Sequence, residues 1–200
     1  MPKTQPITVE KLYECDTHMN EAETPSEADF KTILSGQKGG NEEQKVTAML
    51  IPRHYEKFPN LLKESLSAMK ALLKSTKDDV RLEVYRGLAQ MYHSDSKAIL
   101  KLILAGLTDS EISSSVSDII NRKLQSEAEF KNEFAALLPT EKPEIQTRMF
   151  EMISSQSFTE DTVSQLIEIL TAALKSNNCI KDGLKLYEKN KKLLNEEQSK

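Results

Sequence analysis

Apolar residues return every three or four positions along most of this chain, which is the spacing of one face of an α-helix. The clearest stripe consists of Leu62, Leu66, Met69 and Leu73, separated by four, three and four positions. Serine, asparagine, aspartate, glycine and proline interrupt the stripes at short intervals, as they do at helix ends. The pattern predicts an all-α fold of about eleven helices joined by short loops, with no strand.

Start signals precede several of the stripes. Thr8 is placed to be the N-cap of the first helix. The run Thr24-Pro25-Ser26-Glu27 combines a capping threonine, a proline at the first helical position and a glutamate that completes a capping box. Asp79 is expected to cap a later helix, and Ser126-x-x-Glu129 has the spacing of a second capping box.

Glycine and proline predict two local departures from regular helix. Gly36-Gln37-Lys38-Gly39-Gly40 is glycine-rich, but a P-loop would need Gly-Lys-Ser/Thr before a helix and a strand before the loop. The segment is therefore predicted to be a tight turn with positive φ at one or both glycines. Pro52 falls inside the third stripe, where its ring and its missing N–H predict a kinked or shifted helix.

The interruptions also recur at a longer period. If Asn41, Asp79, Asp109, Pro143 and Asn178 are the breaks inside successive helix pairs, they are separated by 38, 30, 34 and 35 residues. Repeats built from two helices have periods in this range. The chain is therefore predicted to consist of consecutive helix pairs rather than of one bundle of long helices.

One segment has the form of a HEAT repeat. Leu72-Leu73-x5-Asp79-Val80-Arg81 provides an apolar first helix, an acidic turn, and Val-Arg at the start of a second helix. A helix pair cannot bury its apolar face alone, so neighbouring pairs must stack and share a core. The sequence therefore predicts a HEAT-like solenoid of antiparallel pairs as a single domain over residues 8–194. An N-terminal tail over residues 1–7 and a disordered C-terminal tail over residues 195–200 are expected to flank it.

Composition supports the helices and narrows the function classes. The 200 residues include no Trp, six Gly and seven Pro, unlike an all-β protein rich in turns and aromatic residues. Asp plus Glu number 31 against 27 Lys plus Arg, a net charge of −4, and general nucleic-acid binders need the opposite excess. No signal peptide and no apolar run of about 18 residues is found, so a soluble intracellular protein without membrane contact is expected.

Candidate catalytic and metal-binding residues are sparse. The three histidines, His18, His54 and His93, fall in different helix pairs. Cys15-x-x-His18 could supply two ligands from one helix face, but zinc needs three or four protein ligands and Cys179 is far along the chain. No Gly-x-Ser-x-Gly nucleophile elbow is present. We therefore expect two free thiols and no catalytic residue, metal, cofactor or small-molecule substrate.

Several short motifs fall in register with those of a known family. They are Val9-Glu10-x-Leu12-Tyr13, Lys38-Gly39-Gly40, Ile51-Pro52, Phe58-Pro59-x-Leu61 and Asp79-Val80, with a looser match at Thr108-Asp109-Ser110 and from Phe130 to Phe150. On these motifs the chain resembles the apoptosis inhibitor 5 family, also called antiapoptosis clone 11. The specific motifs lie within residues 1–90, and the rest of the chain matches mainly in helix pattern.

The resemblance implies an all-helical scaffold with HEAT-like pairs. It also implies a protein of the nucleus and cytoplasm that restrains apoptosis by binding other proteins and has no enzymatic activity. Family members continue through an armadillo-like second half with a leucine-zipper-like segment and a basic nuclear-targeting tail. This chain ends at Lys200, so it is expected to correspond to the N-terminal half alone, without that tail.

The surface expected to bind partner proteins is the concave face formed by the second helices of the pairs. The candidate partner-binding residues on these helices are Arg53, Lys57, Arg81, Arg86, Arg122 and Arg148. RNA binding by helical repeats is an alternative, although no regular column of aromatic and arginine side chains supports it. A short form that competes with longer family members for their partners is another alternative.

Two further motifs have simpler interpretations. Leu100-x-x-Ile103-Leu104 has the spacing of a helix that docks in a groove, but a buried repeat helix has the same spacing and is favoured. Lys189-x-Lys191-Lys192 resembles a weak nuclear import signal or a nucleic-acid contact. The solvated face of a final helix is the favoured interpretation of this lysine cluster.

Overall fold

The computed structural model describes residues 7–154, 158, 163–175 and 179–197, which contain eleven α-helices and no strand. The predicted all-α helical-repeat fold is confirmed. The break at Asn178 and the outer parts of the predicted tails, residues 1–6 and 198–200, lie outside the described residues. The helices are α1 (Val9–Glu21), α2 (Glu27–Ser35), α3 (Asn41–His54), α4 (Leu62–Leu72), α5 (Asp78–Gln90), α6 (Ser96–Ala105), α7 (Ser113–Ser126), α8 (Ala128–Leu137), α9 (Pro143–Ser154), α10 (Val163–Lys175) and α11 (Ile180–Glu197).

The helices form two compact units that divide after Asp95. In the first unit α3 packs against both α1 and α5, and α2 packs against α4. In the second unit α8 packs against both α6 and α10, and α9 packs against α11. Contact between every second helix is the arrangement of stacked helix pairs. The single domain over residues 8–194 stays a prediction.

The core of the first unit is built from apolar stripes that the sequence shows. Phe30 of α2 stacks on Phe58, with ring centroids 4.8 Å apart and ring planes inclined by 13°. Val80, Val84 and Leu88 lie one helical turn apart on α5, and each is 0% exposed. Burial of this stripe against α3 and α4 holds the unit together through the hydrophobic effect.

A glycine brings α5 close to α3. A Cβ on Gly87 would lie 2.7 Å from Pro52 Cγ and 3.0 Å from the Ala48 carbonyl oxygen, so only hydrogen fits there. Pro52 does not end α3, which continues to His54. The proline is buried at the contact with α5, so its ring contributes to the packing of the two helices.

The second unit has its own core. Leu100, Ile103 and Leu104 of α6 are each 0% exposed, which confirms that this motif is part of a buried helix. Phe130 and Phe134, one turn apart on α8, are also 0% exposed, and their ring centroids are 6.3 Å apart. α6, α8 and α10 therefore bury a continuous apolar layer within this unit.

The observed N-cap agrees with the predicted one at α1 and differs from it at α2. Thr8 is the N-cap of α1, and its Oγ1 accepts a hydrogen bond of 3.3 Å from the backbone amide of Lys11. The predicted cap Thr24 is wrong, because Ser26 is the N-cap of a helix that begins at Glu27. The Ser26 hydroxyl accepts a hydrogen bond of 3.2 Å from the backbone amide of Asp29, the third residue of α2. This bond satisfies an N–H group of the first turn that has no partner within the helix.

Two other predicted caps are also wrong. Asp79 is the second residue of α5, whose N-cap is Lys77. Ser126 is the last residue of α7, and Glu127 is the N-cap of α8. Acidic side chains nevertheless lie in the first turns of both α5 and α8, where the helix dipole favours negative charge.

The glycine-rich segment forms a short 3₁₀ turn at Gly36–Lys38. No described glycine has positive φ, so the prediction of a left-handed glycine in this turn is wrong. The structure gives a steric reason for glycine instead. A Cβ on Gly36 would collide with Thr47 Oγ1 and lie 3.2 Å from Leu12 Cδ1, so the turn passes close to both α1 and α3.

The last helix extends past the predicted end of the domain. α11 continues to Glu197, so residues 195–197 of the predicted tail are helical. Among the described helices, none combines the length and the hydrophobicity needed to cross a membrane.

Candidate functional site

The six candidate partner-binding cations are divided between the two units. Four belong to the first unit, on α3, on the 3₁₀ turn Tyr55–Lys57 and on α5, and two belong to the second unit, on α7 and α9. In chain order they are Arg53, Lys57, Arg81, Arg86, Arg122 and Arg148.

Arg53 and Lys57 both contact the C-terminal half of α1. Arg53 Nη1 lies 3.6 Å from Asp16 Oδ2. Lys57 Nζ donates a hydrogen bond of 3.1 Å to the backbone carbonyl of Met19. A cation near the carbonyl end of a helix is favourable for the helix dipole. These two cations therefore join α1 to the end of α3, in addition to any role at the surface.

Beside Arg53 and Lys57 lies a pair of polar side chains that the sequence did not indicate. His54 Nε2 and Asp16 Oδ1 are 2.6 Å apart, and the His54 side chain is 1% exposed. The other ring nitrogen, Nδ1, is buried without a hydrogen-bond partner among the described residues. His54 and Asp16 are 38 positions apart, so only the packing of α3 on α1 brings them together.

Arg81 and Arg86 make local contacts on α5. Arg81 is half-buried, and its Nη1 donates a hydrogen bond of 3.0 Å to the Ser75 carbonyl in the turn before the helix. Arg86 Nη1 lies 3.0 Å from Glu83 Oε2, and the Arg86 side chain remains 55% exposed. Arg86 is therefore accessible to a partner, whereas Arg81 is engaged in holding the turn.

An ion pair links α3 to α5 at the surface. Lys45 Nζ lies 3.1 Å from Asp79 Oδ2. The hydrogen bond from Lys45 lowers the pKa of the Asp79 carboxyl below its ordinary value. The same hydrogen bond raises the pKa of the Lys45 ammonium. The charged forms of both groups are thus favoured by the contact.

Arg122 and Arg148 have different surroundings in the second unit. Arg122 is exposed on α7. Arg148 lines a cavity of about 230 Å³, in which Asn121 Oδ1 has no hydrogen-bond partner among the described residues. The remaining lining residues are Ser117, Glu151 and Met152. The cavity is polar and can accept a hydrogen bond from a small group.

The Cys15-x-x-His18 pair converges on a carboxylate. Cys15 Sγ donates to Asp29 Oδ1 at 3.6 Å, and His18 Nδ1 lies 3.7 Å from Asp29 Oδ2. Burial, followed by the negative charge of Asp29, raises the pKa of the Cys15 thiol. Among the described residues, no group of three or more His, Cys, Asp or Glu side chains is placed to hold a metal ion.

An exposed apolar face on α10 and α11 is a second feature that the sequence did not separate from the core. Its largest exposed side chains are Ile167, Leu174, Ile180, Leu184 and Tyr187. A possible signal was the width of the apolar stripe, because α10 carries apolar residues on more than one face. For example, Leu166 is 0% exposed while the adjacent Ile167 is 46% exposed.

Comparison with known proteins relates this architecture to a family. A family model described as Apoptosis inhibitory protein 5 (API5) matches residues 9–155, from α1 to the end of α9.

Curated proteins with related names are similar to part of this chain. The chain is 31% identical over 122 residues to Apoptosis inhibitor 5-like protein API5 of Oryza sativa subsp. japonica, covering 60% of this chain and 20% of that protein. It is 28% identical over 97 residues to Apoptosis inhibitor 5 of Gallus gallus, covering 48% and 18%. It is 26% identical over 122 residues to Apoptosis inhibitor 5-A of Xenopus laevis, covering 60% and 23%. The aligned part of the chain spans about a fifth of the length of these relatives. Because the family model covers well over half of its residues, the chain belongs to the Apoptosis inhibitory protein 5 family.

Proposed function

We propose that this chain is a non-enzymatic interaction module that restrains apoptosis by binding other proteins. The observation that carries the proposal is the family match over residues 9–155, which are folded into consecutive packed helices. The family is not a known enzyme family. Packed helices of this kind offer a broad surface rather than one deep cleft, and such surfaces are suited to protein partners.

The proposed partner contacts are made, within each unit separately, by the exposed members of the six candidate cations. Arg53 and Arg86 have side chains that are 51% and 55% exposed, and Arg122 is also exposed. The carboxylates beside Arg53 and Arg86 partly neutralise them, so a partner must supply acidic groups in better geometry. Contacts of this type affect association rates and weaken as the salt concentration increases. Binding is proposed to take place in the nucleus and the cytoplasm.

Affinity capture of the intact chain from cells, followed by mass spectrometry, tests this proposal. The variant Arg86→Glu/Arg122→Glu changes one exposed arginine in each unit and spares the half-buried Arg81. The matched control is Lys63→Glu/Lys101→Glu, which makes the same change of charge at exposed positions on α4 and α6. We expect the arginine variant to lose partners that the control retains, while both variants keep the helical circular dichroism of the parent.

A cell-death assay tests the biological part of the proposal. Expression of the chain is expected to lower the fraction of cells with active caspase after an apoptotic stimulus, and the arginine variant is expected to lower it less. If the parent chain and both variants recover the same proteins as an empty resin, the interaction role is rejected. If partners bind but cell death does not change, the apoptotic role is rejected and the interaction role is retained.

A further inference from the structure

The polar cavity of the second unit lies between α7 and α9. It has a volume of about 230 Å³ and is lined by Ser117 and Asn121 of α7 and by Arg148, Glu151 and Met152 of α9. A water molecule accounts for about 30 Å³ of liquid. Pockets that hold drug-sized ligands measure about 300–1,000 Å³. The cavity therefore has room for more than one water molecule, and its size suits the end of a single side chain.

The polar groups that line this cavity are short of partners. Arg148 is half-buried and Glu151 is exposed, and within the described residues neither side chain makes an ion pair or a hydrogen bond. Asn121 Oδ1 is buried without a hydrogen-bond partner in the same part of the chain. The Ser117 hydroxyl donates to the Ser113 carbonyl at 2.9 Å, which leaves its oxygen able to accept. The lining thus offers both donors and acceptors to an occupant.

The two charges of the lining restrict the chemistry of the occupant. A carboxylate would pair with the Arg148 guanidinium but would meet the like charge of Glu151. An ammonium group would pair with Glu151 but would meet the like charge of Arg148. A primary carboxamide has no net charge, and its oxygen can accept from Arg148 while its NH₂ group donates to Glu151. A second N–H of the amide is available to Asn121 Oδ1, whose lack of a donor is unfavourable.

We propose that this cavity binds the carboxamide side chain of a glutamine or asparagine on a partner protein. The inference rests on the proposed function and adds to it a contact in the second unit that is separate from the exposed arginines. A side chain of a partner can reach the cavity from the surface, because Glu151 in its lining is exposed. Such a contact selects among partners, since a charged side chain in the same place leaves one lining charge opposed by a like charge.

Three tripeptides that differ only in their central side chain test the proposal. Each has alanine on both sides of glutamine, glutamate or lysine, and each is blocked at both ends. Met152 lines the cavity, so the ¹³C-labelled methyl group of this methionine in the full chain reports occupancy by NMR. Its resonance is assigned among the seven methionines with Met152→Leu. We expect the glutamine peptide to shift it saturably and to bind at least about fivefold more tightly than the other two.

Single variants of the two charged residues should change the preference in opposite directions. Glu151→Gln leaves Arg148 as the lining charge, so the glutamate peptide should become the tightest of the three. Arg148→Gln leaves Glu151, so the lysine peptide should become the tightest. The matched controls are Glu168→Gln and Lys101→Gln, which remove the same charges at exposed positions on α10 and α6 outside the lining. Both controls should keep the preference for glutamine, and circular dichroism checks that every variant is folded.

Other results would overturn the inference. It is rejected if no peptide shifts the Met152 methyl resonance, if all three bind equally, or if the two lining variants keep the preference of the parent. Free L-glutamine provides the comparison with a small-molecule source of the same group, and tighter binding of the free amino acid than of the blocked peptide rejects a protein partner. None of these outcomes affects partner capture through Arg86 and Arg122, so failure of this site is distinguishable from failure of the proposed function.

Discussion

His54 and Asp16 form a polar contact inside a mainly apolar interface between α1 and α3. The imidazole is 1% exposed and its Nε2 lies 2.6 Å from the carboxylate, which is 13% exposed. Alanine at this position removes a buried ring and leaves Asp16 with the more distant Arg53 and Asn20. We expect His54→Ala to lower the free energy of unfolding by about 2–4 kcal/mol, measured by urea denaturation.

Arg53→Ala is the matched comparison for His54→Ala, since both side chains contact Asp16. Arg53 is 51% exposed and 3.6 Å from the carboxylate, so its loss should cost less than about 1 kcal/mol. Equal costs for the two variants would contradict the idea that burial makes the histidine contact the stronger one.

Individual residues show what the sequence can and cannot specify. Periodicity placed Met69 on the apolar stripe of its helix, and the residue is 0% exposed, because burial follows from the position of a residue on its helix. It could not pair His54 with Asp16, since the contact depends on how two distant helices pack. It also misjudged Gly36, because steric contact with Leu12 and Thr47 cannot be distinguished in sequence from a need for positive φ.

Between elements, the Lys45–Asp79 pair should make the contact of α3 with α5 dependent on pH. The pKa of Asp79 is lowered in the folded state, so its contribution to stability is present above the unfolded value and is lost as pH falls through the folded value. The pKa of Lys45 is raised, so its contribution is lost only as pH rises through that raised value. We expect Lys45→Met to lower the Tm at pH 7 and to have a smaller effect at acid pH, because protonation of Asp79 removes the charge that the lysine contacts.

The double variant isolates this ion pair. Asp79→Asn should lower the Tm at pH 7 as Lys45→Met does, and the two changes together should add little to either one alone. A Lys45→Met effect of the same size at both pH values would mean that packing of the lysine stem, and not its charge, stabilises the two helices.

Gly87 makes α5 intolerant of a single added methyl group. Alanine usually stabilises a helix interior by about 1 kcal/mol over glycine. Here the methyl group would press on Pro52 and on the Ala48 carbonyl, neither of which can move freely. We expect Gly87→Ala to lower the free energy of unfolding by about 1–3 kcal/mol, measured by urea denaturation.

Gly40→Ala is the control for Gly87→Ala. A Cβ on Gly40 would meet only the flexible carboxylate end of Glu43, at 2.8 Å. Its cost should be at most about 1 kcal/mol, set by the capping preference at that position. A stabilising Gly87→Ala would show that α3 and α5 can separate without penalty.

The sequence showed that the helices exist, but it was less informative about where each helix begins and which of its sides is buried. Stripes of apolar residues predicted the helices because burial of one face selects them. The start of α2 was misplaced because Thr24 and Ser26 are both good N-caps, and local chemistry does not choose between them. The α10–α11 face was missed because an apolar residue on a helix is normally a core residue, and only the packing shows which ones are left over.

Across the whole molecule, each unit has an apolar core of its own, and a core defect should act mainly within its unit. Phe134 is 0% exposed on α8, so Phe134→Ala should destabilise by about 3–5 kcal/mol. We expect hydrogen exchange with mass spectrometry to show faster exchange over residues 96–197, with protection largely retained over residues 7–95. Uniform acceleration along the chain would mean that the two units unfold as one.

The predicted solenoid has two parts, the packing of neighbouring helices and one continuous core. Helix content and the packing of alternate helices follow from short-range patterns and are present in each unit. A continuous core over residues 8–194 depends on contacts that no sequence period specifies, and it stays a prediction.

The two buried cysteines can serve as intrinsic reporters of local opening in the molecule. Cys15 and Cys179 are each 0% exposed, and one lies in each unit. A soluble alkylating reagent can modify a buried thiol only after the structure around that thiol opens. The rate of labelling therefore measures how often each unit opens locally. In the Phe134→Ala variant Cys179 should label sooner while Cys15 keeps its native rate. Without any engineered cysteine, the chain can thus report on the dynamics of its two units separately.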